Sequence, residues 1–77
     1  MQADELREVV RDNILSYRKS QRMTQTVAAQ RAGVSQSHWA RLEAGEMTPS
    51  LESLAKIANA LGIHPDELLR PRVLEVA

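Results

Sequence analysis

Cysteine is absent from the 77 residues, which excludes a disulfide framework, a thiolate metal site and a cysteine nucleophile together. Stability must come from packing, and a single domain of this length buries only about 60% of its unfolded surface, leaving a small margin. No apolar run approaches the roughly 18 residues needed to span a bilayer, and the first residues, Met1 to Glu5, are polar and acidic. The expectation is a soluble, cytoplasmic protein. No catalytic triad, carboxylate pair in an apolar setting, phosphate-binding glycine loop or metal-ligand spacing is visible, so neither an enzyme nor a cofactor is expected. His38 and His64 stand apart from other ligand types apart from Asp66 and Glu67 beside His64, and no metal site is assigned to them.

Net charge is zero, which by itself argues against a nucleic-acid partner, but the distribution is uneven. Between Asp12 and Glu43 there is no acidic residue, while Arg18, Lys19, Arg22, Arg31 and Arg41 all lie there. The two flanks are acidic and offset this basic middle. A cationic stretch suits phosphate contact because each neutralised phosphate releases counterions.

Apolar residues recur at helical spacing and the fold class reads as all-α with five helices. The first runs from about Asp4 to Lys19, with Leu6, Val9, Val10, Ile14 and Tyr17 as its inner stripe. Thr24 is suited to cap a short second helix that Gly33 closes, and Ser35 to cap a third, Gln36 to Glu43, ending near Gly45. Pro49 and Ser50 open the fourth, whose inward residues are expected to be Leu51, Leu54, Ile57, Ala58 and Leu61, with Gly62 at its end. Pro65, Asp66 and Glu67 begin a short fifth helix that Pro71 stops, with His64 at its cap. Trp39 is read as a core residue with one partner for its indole N–H.

Two short capped helices separated by Ala32-Gly33-Val34 form a helix-turn-helix, whose second member can lie in a major groove. With Trp39 and Leu42 turned to the core, Gln36, Ser37, Ala40 and Arg41 face outward. Glutamine pairs bidentately with adenine, arginine with guanine, and serine serves either.

On these residues the chain resembles the Cro/C1-type helix-turn-helix family, whose domains have a lambda-repressor-like fold. The resemblance runs over residues 14 to 69. It is carried by Ile14 and Arg18, by Met23-Thr24-Gln25, by Ala29 and Gly33-Val34-Ser35, and by Glu43-Ala44-Gly45. Pro49-Ser50, Leu54, Ile57-Ala58, Ala60-Leu61-Gly62 and Leu68-Leu69 continue it in register. It implies a sequence-specific regulator of transcription that binds double-stranded DNA as a homodimer on a pseudo-palindromic operator. Gln36, Ser37 and Arg41 then fall where the family reads bases, with Gln25 contacting a phosphate and bracing Gln36, and His38 beside the backbone or a flanking base. Arg18 and Glu43 match a structural ion pair, so Arg18 is not counted as a DNA ligand. Lys19, Arg22, Thr24, Arg31 and Ser35 complete the expected backbone contacts.

The sequence departs from the family pattern in three places. Val27 stands where a polar residue is usual, Ala28 where a larger aliphatic one is, and Glu46-Met47 where the loop often carries a cation. The competing reading is a module that uses the same scaffold to bind a protein partner. Residues 1–70 are expected to form the domain and 71–77 a tail. Leu68, Leu69, Val73, Leu74 and Val76 are assigned to a dimer interface, because together they leave too much apolar surface for water.

Overall fold

The computed structural model describes residues 1–72, and the tail residues Val73, Leu74 and Val76 lie outside the described residues. Those described form five helices and no strand: α1 (Ala3–Ser20), α2 (Gln25–Ala32), α3 (Gln36–Glu43), α4 (Leu51–Leu61) and α5 (Pro65–Leu69). Helix α1 packs on α3, α4 and α5; α2 packs on α3 and α4; and α4 packs on α5. None of the described helices is long and apolar enough to cross a membrane.

Three helix starts are set by hydroxyl caps. The side chains of Thr24, Ser35 and Ser50 accept hydrogen bonds from the backbone N–H of Val27, His38 and Ser53, each satisfying a donor that the first turn leaves free. At α5 the carboxylate of Glu67 instead accepts from the N–H of His64 at 2.9 Å. Gly33 closes α2 with φ +72°, and the Val34 N–H reaches back to the Ala29 carbonyl at 3.0 Å. This left-handed closure produces the sharp corner into α3. Helix α1 ends the same way but without a glycine: Arg22 itself takes φ +56°, and the Met23 N–H bonds to the Arg18 carbonyl.

A core of Val10, Ile14, Met23, Ala28, Ala29, Trp39, Leu42, Leu54, Ile57, Ala58, Leu61 and Leu68 lies between the helices. Trp39 is fully buried within it, and its truncation to alanine would cost about 3–5 kcal/mol.

Three inward assignments are corrected. The buried side of α1 is Val10, Asn13 and Ile14, whereas Leu6 is exposed and Val9 half-buried; the stripe lies further round the helix than the apolar letters suggest. Asn13 belongs inside because its Nδ2 donates to the carbonyls of Leu68 and Arg70, both at 2.8 Å, satisfying the end of α5. Leu51 is 85% exposed although it lies one turn before buried Leu54, because it is the first residue of α4. Leu68 is fully buried in its own chain and so is removed from the dimer interface, while Leu69 stays exposed.

Candidate nucleic-acid interface

The corner made by Thr24, Gly33 and Ser35 sets α3 against α2 with Trp39, Leu42 and Glu43 buried on one side. Gln36, Ser37 and Arg41 are exposed on the other, with Ala40 half-buried between them. Exposed polar side chains on a short helix that projects from a packed partner have the form needed to enter a groove of nucleic acid.

Behind that edge is a connected polar network. The guanidinium of Arg18 donates from Nε to Glu43 Oε2 at 2.6 Å and from Nη2 to Oε1 at 2.9 Å, a bidentate pair that joins α1 to α3. A third bond runs from Arg18 Nη1 to the Met23 carbonyl at 2.8 Å, tying the pair to the turn before α2. The Trp39 indole N–H donates to Glu43 Oε2, and Gln25 Nε2 donates to Oε1 at 3.1 Å. Gln25 then accepts through its own Oε1 from Gln36 Nε2 at 3.3 Å. The order of contact is therefore Arg18, Glu43, Gln25, Gln36, from a buried ion pair to an exposed amide.

The electrostatics follow from this geometry. Burial pushes the Glu43 carboxyl upward, but hydrogen bonds from Arg18, Gln25 and Trp39, with the charge of Arg18, outweigh it and hold the group below its usual range. Hydrogen bonding to Glu43 holds Arg18 above its already high range despite burial. Both ends of the pair stay charged at neutral pH, which fixes which amide atom Gln25 presents: its N–H₂ must face the carboxylate, leaving the carbonyl for Gln36.

The cations lie on different segments of the chain. Arg22, on the turn before α2, and Arg31, in its last turn, are both exposed. Lys19 instead borders a groove of about 390 Å³ between α1 and the segment after α5, together with Val9, Leu15 and Arg72. There the Arg72 guanidinium lies 4.1 Å from the centre of the Tyr17 ring and donates to Ser16 Oγ. His38 is half-buried with its Nε2 enclosed and without a hydrogen-bond partner, so in this conformation that nitrogen is not presented outward. Val27 is exposed on α2 and Ala28 fully buried. Sequence reasoning passed over the bonds that Gln25 and Trp39 donate to Glu43 and a contact at the end of α3: Glu46 Oε2 lies 3.9 Å from Arg41 Nε. Arg41 and Glu46 are five apart across a helix end, a spacing that has no fixed meaning until the closure of α3 is known.

An all-helical domain with a capped two-helix corner, its second helix exposing a polar edge, defines a helix-turn-helix protein. The chain belongs to that family, in its Cro/C1-type branch: the family profile described as Helix-turn-helix matches residues 14–68. It is 37% identical over 59 residues to the cryptic phage CTXphi transcriptional repressor RstR of Vibrio cholerae serotype O1, a match covering 77% of this chain and 53% of RstR. The chain thus spans about half the length of that relative. Among solved structures it is similar to the clp gene regulator ClgR from C. glutamicum, with a TM-score of 0.78, 31% identity and 83% of each chain covered. It is also similar to the restriction-modification controller protein C.AhdI from Aeromonas hydrophila, with a TM-score of 0.77 and 28% identity, covering 87% of this chain and 98% of that one.

Proposed function

We propose that this chain is a sequence-specific, double-stranded-DNA-binding regulator of transcription that acts as a homodimer in a bacterial cytoplasm. The observation that carries the reading is the contact series from Arg18 through Glu43 and Gln25 to Gln36: an exposed glutamine oriented by a buried charge pair is prepared to make a directional contact to a base edge. Gln36, Ser37 and Arg41 read bases in the major groove. Arg22 and Arg31, with the free N–H groups at the start of α2 and α3, meet phosphates, and Thr24 and Ser35 hold those helix starts in place. Lys19 and His38 are secondary in this scheme, since one borders the groove with Arg72 and the other turns its Nε2 inward. Dimerisation is assigned to the C-terminal end, from exposed Leu69 into the tail. RstR is named as a phage repressor and C.AhdI as a restriction-modification controller; this chain is assigned to the same broad role of controlling a promoter.

Selection of bound duplexes from a randomised library tests the reading. The expected result is a two-fold symmetric consensus with half-sites about one helical turn, roughly 34 Å, apart. The Gln36→Ala variant should then lose about 1–3 kcal/mol of discrimination at one base pair per half-site. Failure to enrich any consensus, or unchanged preference in the variant, refutes the assignment.

A protein-binding module is the second reading, favoured by Leu51 standing 85% exposed on α4 and by the zero net charge. Salt-sensitive binding to random duplex DNA at low ionic strength separates the two, because only the DNA reading requires it.

A further inference from the structure

We infer that Glu46 is a positioning residue for Arg41, holding its guanidinium for base reading and away from phosphates; this deepens the DNA-reading assignment and rests on it.

Placement comes first. Helix α3 closes through Gly45 at φ +74°, and the Glu46 N–H bonds to the Arg41 carbonyl at 3.0 Å. Glu46 is therefore fixed by backbone geometry to the turn that carries Arg41. The closure is itself confined, since a Cβ on residue 45 would come within 3.2 Å of Arg11 Cδ. Side-chain contact then follows: Glu46 Oε2 stands 3.9 Å from Arg41 Nε, within ion-pair range and longer than a hydrogen bond.

Which nitrogen is engaged decides the consequence. A guanidinium offers five N–H donors in a planar fork. Contact at Nε leaves both Nη groups free at the far end, and those can bond end-on to the O6 and N7 acceptors of guanine. Reading guanine does not require the pair to break. A phosphate approaching Arg41 from that side meets the negative charge of Glu46, which repels it. Glu43 has no part in this, because its oxygens are buried and engaged by Arg18, Gln25 and Trp39. Glu46 thus lowers sequence-independent affinity while leaving cognate contact intact, and so widens the ratio between them.

The pair is exposed, with 59% and 62% of the two side chains accessible, so its effect is modest, about two- to five-fold. The test compares wild type, Glu46→Gln, Arg41→Ala and the double variant on three probes: the consensus duplex recovered by wild type, its single-base variants and a random duplex pool, each over a salt series. Glu46→Gln should bind the random pool about two- to five-fold more tightly at low salt and lose a similar factor of discrimination at the base pair facing Arg41. In the Arg41→Ala background, Glu46→Gln should change base preference no further, and thermal melting should be unaltered in both. Unchanged discrimination in Glu46→Gln overturns the proposal. An effect on base preference that persists without Arg41 also overturns it, assigning Glu46 to direct acceptance from a cytosine amino group. If wild type itself shows no salt-sensitive binding to the random pool, the DNA reading fails and the role of Glu46 with it.

Discussion

Trp39 and Glu43 stand one helical turn apart on α3, and the indole N–H of the first donates to the same carboxylate oxygen, Oε2, that accepts from Arg18 Nε. A fully buried aromatic and a buried charge pair are thereby joined, so the packing of α3 and the orientation of Gln25 depend on one carboxylate.

Removing that carboxylate should destabilise the fold strongly. Glu43→Ala strands a part-buried guanidinium and a buried indole N–H, an expected loss of about 3 kcal/mol in urea denaturation. Glu43 is held below its ordinary value near 4.3, so its contribution is fully present above that pH and is lost as pH falls through the lower folded value. The acid limb of stability below about pH 4.3 should therefore be shallower in Glu43→Gln than in wild type; identical slopes over that range would show that the carboxylate is not linked to folding as described.

Gln25 should influence base preference without touching a base. Gln25→Ala removes the acceptor for Gln36 and one donor to Glu43, at about 0.5–1.5 kcal/mol of stability. Discrimination at the Gln36 base pair should fall in the single variant and fall no further when Gln25→Ala is added to Gln36→Ala. Additive losses in that cycle would mean that the two glutamines act independently.

Arg22 offers a variant in which stability and binding move in opposite directions. Its φ of +56° costs a non-glycine residue about 1–2 kcal/mol, part of which glycine recovers after its larger unfolded-state entropy is counted. Arg22→Gly should melt higher, by about 0.5–1 kcal/mol, yet bind duplex DNA more weakly, with a salt slope reduced by about one phosphate contact. An unchanged slope would remove Arg22 from the interface.

Leu68 and Leu69 are neighbours with different expected roles. Leu68→Ala should cost about 2–5 kcal/mol of stability, because the side chain is fully buried in its own chain. Leu69→Asp, on an exposed position, should leave melting nearly unchanged and weaken self-association in sedimentation equilibrium. A chain ending at Arg72 should be monomeric by the same measurement, and a persistent dimer would move the interface elsewhere.

Much of the fold was legible because its signals are local. A hydroxyl at Thr24, Ser35 or Ser50 can reach only the N–H groups of its own first turn, and the left-handed turn that Gly33 adopts after α2 is cheapest for glycine. Those letters act within four residues, so reading them in order located the helices and the corner between α2 and α3. At the interface the outward set Gln36, Ser37 and Arg41 followed from the periodicity that turns Trp39 and Leu42 inward. The Arg18–Glu43 and Gln25–Gln36 contacts were expected from family resemblance, since nothing in a spacing of 25 or 11 residues requires them to meet.

Tertiary structure alone decided what depends on distant elements arriving together. Asn13 is buried only because carbonyls 55 and 57 residues away come to lie over it, and a polar letter within a helix carries no sign of that. Leu51 and Leu68 are both leucines with helical phase, yet one is 85% exposed and the other fully buried; hydrophobicity states a preference for burial, and packing determines which side chains obtain it. Glu46 is set against Arg41 by the backbone closure at Gly45. Sequence therefore determined the helices, their caps and the exposed polar edge of α3 by local bonding, and the three-dimensional packing determined which side chains support that edge.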